Sequence, residues 1–206
     1  MTSVTQILDR FPEKELVEWQ LRDVKKAKQI SQEALRVGTA VDRMIQAQWR
    51  QETILVPEND PAILNAWGAW KAYCTDHPDF FPSITAIQEE LTDGVTVGHP
   101  DLTCRKYEGW GTVSIKCSAA IRPSYWTQEA AYALLRGRQY PTLGFPTFLA
   151  ILRLDKVTGR PEYQELTDPE QIRYEMEIFR KYVALYYHRE TVAERTRLAL
   201  EQEVLG

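Results

Sequence analysis

Apolar positions change their period along this chain, and the changes mark out its elements. From Glu13 to about Gln48, with Trp49 just beyond, Leu16, Trp19, Ile30, Ala34, Leu35, Val41, Met44 and Ile45 fall largely at helical spacing. Ser3 suits the cap of a shorter helix before this run, through Ile7 and Leu8, and Pro12 suits the start of the next. Gly38-Thr39 interrupts the long run, so two helices are expected there, Thr39 capping the second. A turn from Pro57 to Pro61 leads into an amphipathic helix over about Ala62 to Thr75, and His77-Pro78-Asp79 ends it. The N-terminal third is thus expected to be helical.

From Ser83 the pattern shortens. Ile84 to Leu91, Val95 to Cys104 and Gly111 to Cys117 are β-rich runs between glycine-containing turns, which predicts three neighbouring strands. Trp126 to Leu135 is an alanine-rich helix that Arg136-Gly137 should end. Phe148 to Leu154 and Glu162 to Leu166 read as strands joined by a hairpin turn at Asp155-Lys-Val-Thr-Gly159. Asp168-Pro169 opens a last long helix that runs past Tyr187 to Glu203. With no internal repeat, low-complexity tract or linker, residues 1–206 are expected to form one domain.

Composition narrows the function classes. A length of 206 residues suffices for a sizeable core without disulfides. Cys74, Cys104 and Cys117 are an odd number without a C-x-x-C pair, so neither a disulfide framework nor a zinc site is indicated, and a reducing cytosol fits best. The first ten residues lack an apolar run, and no stretch approaches membrane-spanning length, so neither a signal peptide nor a membrane is expected. A net charge of −4 argues against bulk-electrostatic DNA binding but leaves room for a local basic groove. No phosphate-loop motif, kinase signature or serine-hydrolase elbow is present.

The chemistry-bearing residues gather in the middle of the chain. Asp101 follows Gly98-His99-Pro100 at the start of one expected strand, Glu89 and Glu90 lie on the strand before it, and Lys116 on the one after. A lone Asp there is ordinarily a turn residue. Adjacent strands, however, can bring these side chains to one spot. Magnesium or manganese takes carboxylate oxygens, a backbone carbonyl and waters in an octahedron. Such an ion activates a bound water and offsets charge growing on a phosphate, and a nearby lysine can orient the water or stabilise that charge. Gln128 and Tyr132 share a helix face by their i, i+4 spacing; the plain reading is a polar pair on an amphipathic helix.

This layout resembles the PD-(D/E)XK nuclease superfamily, in particular the RecB/Cas4-like branch shared with phage and mitochondrial single-strand exonucleases. The family's order is an upstream Glu, a G-x-x-D strand, a D/E-x-K strand and a Q-x-x-x-Y helix. Here Gly98-His-Pro-Asp101, Ser114-Ile115-Lys116 and Gln128 to Tyr132 occupy those places. The resemblance implies an α/β fold with a restriction-endonuclease-like central mixed sheet of about five strands flanked by helices, and metal-dependent DNA hydrolysis. It assigns Asp101 and Glu89 (favoured over Glu90), the Ile115 carbonyl and Asp42 to a Mg2+ or Mn2+ ion, and Lys116 to the catalytic lysine. It assigns Gln128 and Tyr132 to the DNA strand. Some relatives carry an iron–sulfur cluster on four cysteines; three scattered ones cannot supply it. Arg122 beside Tyr125 can hold phosphates and stack on unpaired bases, or simply pack; Lys25, Lys26 and Lys28 read more simply as a solvated face. Implied partners are DNA and, beyond it, a recombination, helicase or CRISPR-type protein.

Two positions depart from the pattern. Ser114 stands where the family has Asp or Glu, which removes a metal-binding charge. Asp42, in Gly38-Thr-Ala-Val-Asp42, stands where the family's G-T-x-V-H has a histidine, which adds one. Three readings follow. The acid has moved, with Asp42 taking over; the pocket only binds nucleic acid or a protein; or Ser114 was introduced to trap a substrate complex.

Overall fold

A computed structural model describes residues 1–205, with side chains through Glu194. The chain opens with a two-residue strand, β1 (Thr2–Ser3), and a short helix, α1 (Val4–Leu8). Ser3 Oγ accepts from Gln6 N while the Gln6 side chain accepts from Ser3 N, so two orphan donors are satisfied reciprocally. Helix α2 (Lys14–Arg22) stops at Asp23, whose carboxylate accepts from Lys26 N at 2.9 Å and thereby starts α3 (Val24–Trp49).

The expected break at Gly38-Thr39 is absent: both lie inside α3. A helix-interior glycine costs about 1 kcal/mol relative to alanine, and burial of Val37, Val41, Met44 and Ile45 on either side outweighs that. The real break is Asp23, where an acidic side chain competes for backbone N–H groups. Asp60 caps α4 (Pro61–Asp76) in the same way, and α5 (Phe80–Ser83) is a single turn.

The main sheet has five strands in the order β2 (Ile84–Ile87), β5 (Leu102–Lys106), β6 (Gly109–Lys116), β7 (Phe148–Leu154), β8 (Pro161–Leu166). Within this sheet only β6 and β7 pair in parallel, as their connection through helix α6 (Pro123–Gln139) allows. Beside it, β1, β4 (Thr96–Gly98) and β3 (Leu91–Thr92) form a three-stranded mixed sheet, ordered β1-β4-β3. Two expected strands therefore divide. The first leaves the main sheet after Ile87, where Gln88 turns left-handed at φ 50°. The second contributes β4 to the small sheet and β5 to the large one. Helix α6 runs through Arg136-Gly137 to Gln139, and a 3-10 turn (Pro141–Leu143) follows. The hairpin at Asp155 is as expected: its Oδ1 accepts from Val157 N and Thr158 N, and Gly159 takes φ 69°. Helix α7 (Pro169–Leu205) closes the chain.

Apolar residues on the two faces of the main sheet build two cores. Phe148, Ala150, Leu152 and Leu154 alternate onto the face covered by α3 and α4, with Trp67, Trp70, Met44 and Ile45. Leu149 turns to the other face, under α6 and α7, with Ala130, Leu135, Ile172 and Phe179. Strand β6 follows the same rule. Val113 and Ile115 go to the first core, so Thr112, Ser114 and Lys116 project towards α6. This α/β architecture, a mixed sheet with helices on both faces and a helical N-terminal portion, is the expected one. Among the described residues no helix is long and apolar enough to cross a membrane.

Gly98 ends β4 because α6 comes close to it: a Cβ there would meet the Tyr132 ring at 2.8 Å and Val4 at 3.0 Å. Overpacking of this kind costs about 1–3 kcal/mol. Gly98→Ala is expected to lose a stability in that range by urea denaturation, whereas Gly38→Ala, with nothing within 4 Å of the added methyl, is expected to gain slightly.

Candidate active site

Four elements meet at the end of the main sheet. Asp101 immediately precedes β5, and its Oδ2 accepts from Ile115 N at 2.7 Å, which ties the carboxylate to the neighbouring strand. Asp42 reaches the same place from the middle of α3. Gln88, at the left-handed turn after β2, donates its Nε2 to Asp101 Oδ1 at 3.0 Å and to Asp42 Oδ1 at 3.2 Å. Gln46 Nε2 also donates to Asp42, at 2.7 Å. Burial and the charge of Asp101 push the Asp42 carboxyl up from its usual pKa, and the two glutamine amides pull it part of the way back.

On the α6 side the residues form a relay. Lys116 Nζ donates to Gln128 Oε1 at 2.9 Å, and Gln128 Nε2 donates to Tyr132 Oη at 2.9 Å. The i, i+4 pair shares one helix face, from which Gln128 reaches the lysine and Tyr132 reaches Gln128. Burial pushes the Tyr132 hydroxyl far above its usual pKa, so it stays protonated. Lys116 also lies 5.0 Å from the centre of the Tyr125 ring, within cation–π range. A cleft of about 340 Å³ opens over Asp42, Gln88, Asp101, Lys116 and Tyr125. A second groove of about 510 Å³, lined by Arg122, Gln128 and Gln20 among others, shares Tyr125 with it.

Glu89 is not brought to this site. Its carboxylate pairs with Arg136 and accepts from Tyr140 Oη at 2.8 Å. The left-handed residue before it, Gln88, breaks the strand alternation at this point. Glu90 stands 3.9 Å from His99 Nε2.

Sequence reasoning passed over Glu129. This residue is wholly buried, at 0% exposure, on the face of α6 that covers β6, and its Oε1 accepts a hydrogen bond from the Ser114 hydroxyl, itself 1% exposed. Its Oε2 has no partner. A carboxyl group thus lies against the Ser114 side chain. Burial pushes its pKa up to about 7, and the Ser114 hydrogen bond and the nearby Lys116 charge oppose the rise. The available signal was an acid among alanines, Glu129-Ala130-Ala131, on a helix that must cover a sheet.

The donors fit a hard divalent cation. All are oxygens (the Asp42 and Asp101 carboxylates, with the Glu129 carboxyl behind them), and the buried Glu129 Oε2 has no hydrogen-bond partner. Among the described residues no three Asp, Glu, His or Cys side chains converge as a ready-made cluster. The three thiols take no part in the relay; burial pushes Cys74 and Cys117 up to about 11 and Cys104 up to about 12.

Because Glu129 titrates near 7 when folded and near 4.5 when not, the native chain holds a proton that the unfolded one has released between those values. Stability is therefore expected to fall as pH rises from about 4.5 to about 7 and to level off above. Glu129→Gln should remove that decline. In chelator, the variant's advantage by urea denaturation is expected to widen across this window; a constant difference would contradict it.

No protein-family model matches the chain, and no curated protein is similar to it. Among solved structures, a crystal structure of an alkaline exonuclease from Laribacter hongkongensis (LHK-Exo) aligns at 13% identity and a TM-score of 0.37, covering 61% of this chain and 69% of that one. A protein designated SSO0001 aligns at 14% identity and a TM-score of 0.32, covering 72% and 74%.

Proposed function

We propose that the chain is a divalent-cation-dependent deoxyribonuclease of the RecB/Cas4-like exonuclease type, built as one nuclease-like domain, in which the carboxylate absent from position 114 is supplied from the neighbouring helix by Glu129. The carrying observation is the Glu129 carboxyl buried against Ser114, beside Asp101 and Lys116. In the simple degenerate-pocket reading, Ser114 would face apolar side chains. Instead, a carboxyl group is maintained where burial disfavours its charge, a cost that a bound cation would offset.

Asp42, Asp101 and the Ile115 carbonyl would hold Mg2+ or Mn2+, with Glu129 adding negative charge from behind. When bound, such an ion lowers the pKa of a water ligand and offsets charge on the scissile phosphate. Lys116 orients the attacking water and stabilises the pentacovalent phosphate's charge through Nζ. Gln128 keeps that ammonium aimed into the cleft, and Tyr132 keeps Gln128 from turning away. Arg122 takes a phosphate in the adjoining groove, and Tyr125, common to both cavities, offers a stacking face for an unpaired base. Glu89 has no part in catalysis; it holds Arg136 and Tyr140. Work in recombination, repair or end processing, in a bacterial or phage-infected cytoplasm and beside a helicase or CRISPR-type partner, belongs to this reading.

The test moves the acid between the two positions. With end-labelled single- and double-stranded DNA and magnesium, Lys116→Ala is expected to lose cleavage by about 10²–10³-fold, and Glu129→Ala to fall comparably. Ser114→Asp added to Glu129→Ala should recover part of the rate. Ser114→Asp alone should not improve it, since it sets two carboxylates against each other in a buried space. Metal-dependent cleavage unaffected by Glu129→Ala would remove the glutamate from the mechanism. No cleavage by the parent chain or by any of these variants would favour the alternative, a module that keeps the fold and binds nucleic acid or a protein.

A further inference from the structure

The two carboxylates at the cleft are joined by an amide, and the spacing of that amide is informative. Magnesium and manganese hold oxygen ligands at about 2.1 Å in an octahedron, so two oxygens on adjacent vertices stand about 3.0 Å apart. The head of Gln88 lies 3.0 Å from Asp101 Oδ1 and 3.2 Å from Asp42 Oδ1, close to the spacing between adjacent vertices. As placed, Nε2 points at both carboxylates and satisfies them in place of a cation. Rotation of the amide by half a turn exchanges Nε2 for Oε1 at nearly the same point, since the terminal torsion of glutamine is broad and its two ends are nearly equal in size.

The backbone reinforces the aim. Gln88 is the left-handed residue at which β2 leaves the main sheet, and its N–H donates to the Asp101 carbonyl at 3.2 Å. Gln88 is thus bound to Asp101 through both main chain and side chain. Beyond this cluster, the wholly buried Glu129 has an unpartnered Oε2, on which the charges of Lys116 and Asp101 act.

We propose that Gln88 is the third side-chain ligand of the divalent ion, presenting Oε1 together with Asp42 and Asp101, and that its amide group stands in for the ion when none is bound. The inference rests on the nuclease reading of the cleft but concerns cation binding rather than cleavage. A neutral third ligand gives the site two formal negative charges from its near carboxylates instead of three.

The experiment is a titration of Mn2+ into the full chain, followed by the loss of the free-ion electron paramagnetic resonance signal, without DNA. Gln88→Gly keeps the left-handed backbone and removes only the ligand, and thermal melting confirms that each variant folds. Asp101→Asn serves as the control for the site. Gln88→Gly is expected to weaken Mn2+ binding by at least about tenfold, the lower end of the loss seen even for residues that merely orient a ligand. Gln88→Glu, which adds a charge at the same vertex, is expected to bind Mn2+ more tightly than the parent. Equal or tighter binding by Gln88→Gly, with Asp101→Asn abolishing it, overturns the ligand role alone and leaves the site standing. Binding indifferent to both Gln88→Gly and Asp101→Asn, or no binding by the parent, overturns the inference together with the cation site beneath it.

Discussion

A carboxyl group with no access to water, on the covering face of α6, is the constraint around which this end of the molecule is arranged. Glu129 lies between a helix and a sheet, where an isolated charge is strongly disfavoured. The Ser114 hydroxyl answers one of its oxygens and leaves the other unmet. Lys116, two residues along the same face of β6, is a cation whose charge acts on it and is itself held by Gln128. Helix and strand are therefore locked in register by polar contacts as well as by Ala130, Leu135 and Leu149. Any shift of α6 by one residue would strand the glutamate among alanines and release the lysine. The polar relay from Lys116 to Tyr132 and the close approach of Tyr132 to Gly98 are consequences of that single docking.

The central and C-terminal elements were largely legible because their signals are local. Strands β6, β7 and β8, the Asp155 hairpin and the helix carrying Gln128 and Tyr132 follow from alternation, turn residues and i, i+4 spacing. Elsewhere, tertiary burial overruled local punctuation. Gly38-Thr39 looks like a break, but Val37, Val41 and Ile45 are wholly or almost wholly buried and carry α3 through it. At Gln88 the reverse occurs. A run that reads as continuous strand bends left-handed and changes sheets, which hydrophobic alternation cannot reveal. That bend also turned the reasoning about acids: with alternation broken, Glu89 swings to Arg136, and the neutral residue beside it faces Asp101.

The carboxylate that appeared lost from the strand was harder to read for a different reason. Position 114 and position 129 are neighbours only once β6 and α6 dock, and the motif spacing treats each element separately. Asp42 was noticed as an added acid because it breaks a local pattern. Glu129 offers only the weaker signal of an acid beside Ala130 and Ala131, and on a helical wheel it is simply polar. Its significance comes from burial, a property of the fold, and from the serine it meets, whose small neutral side chain leaves room for a carboxyl arriving from the opposite layer. An aspartate at 114 would have occupied that space and opposed that charge.

The charge balance of the cleft follows from the same arrangement. Asp42 already titrates above its usual range because it is buried near Asp101, so the site resists any further negative charge while no cation is present. Two amides, Gln46 and Gln88, moderate that repulsion by donating to the carboxylates. Glutamates in their places would deepen the repulsion in the cation-free protein, whereas apolar residues would take both amide donors from Asp42 and one from Asp101. An amide meets both demands because it donates at one end and accepts at the other. Holding Gln88 in a left-handed conformation costs of order 1 kcal/mol. The fold bears that strain at the one turn from which the amide reaches Asp42 and Asp101 together.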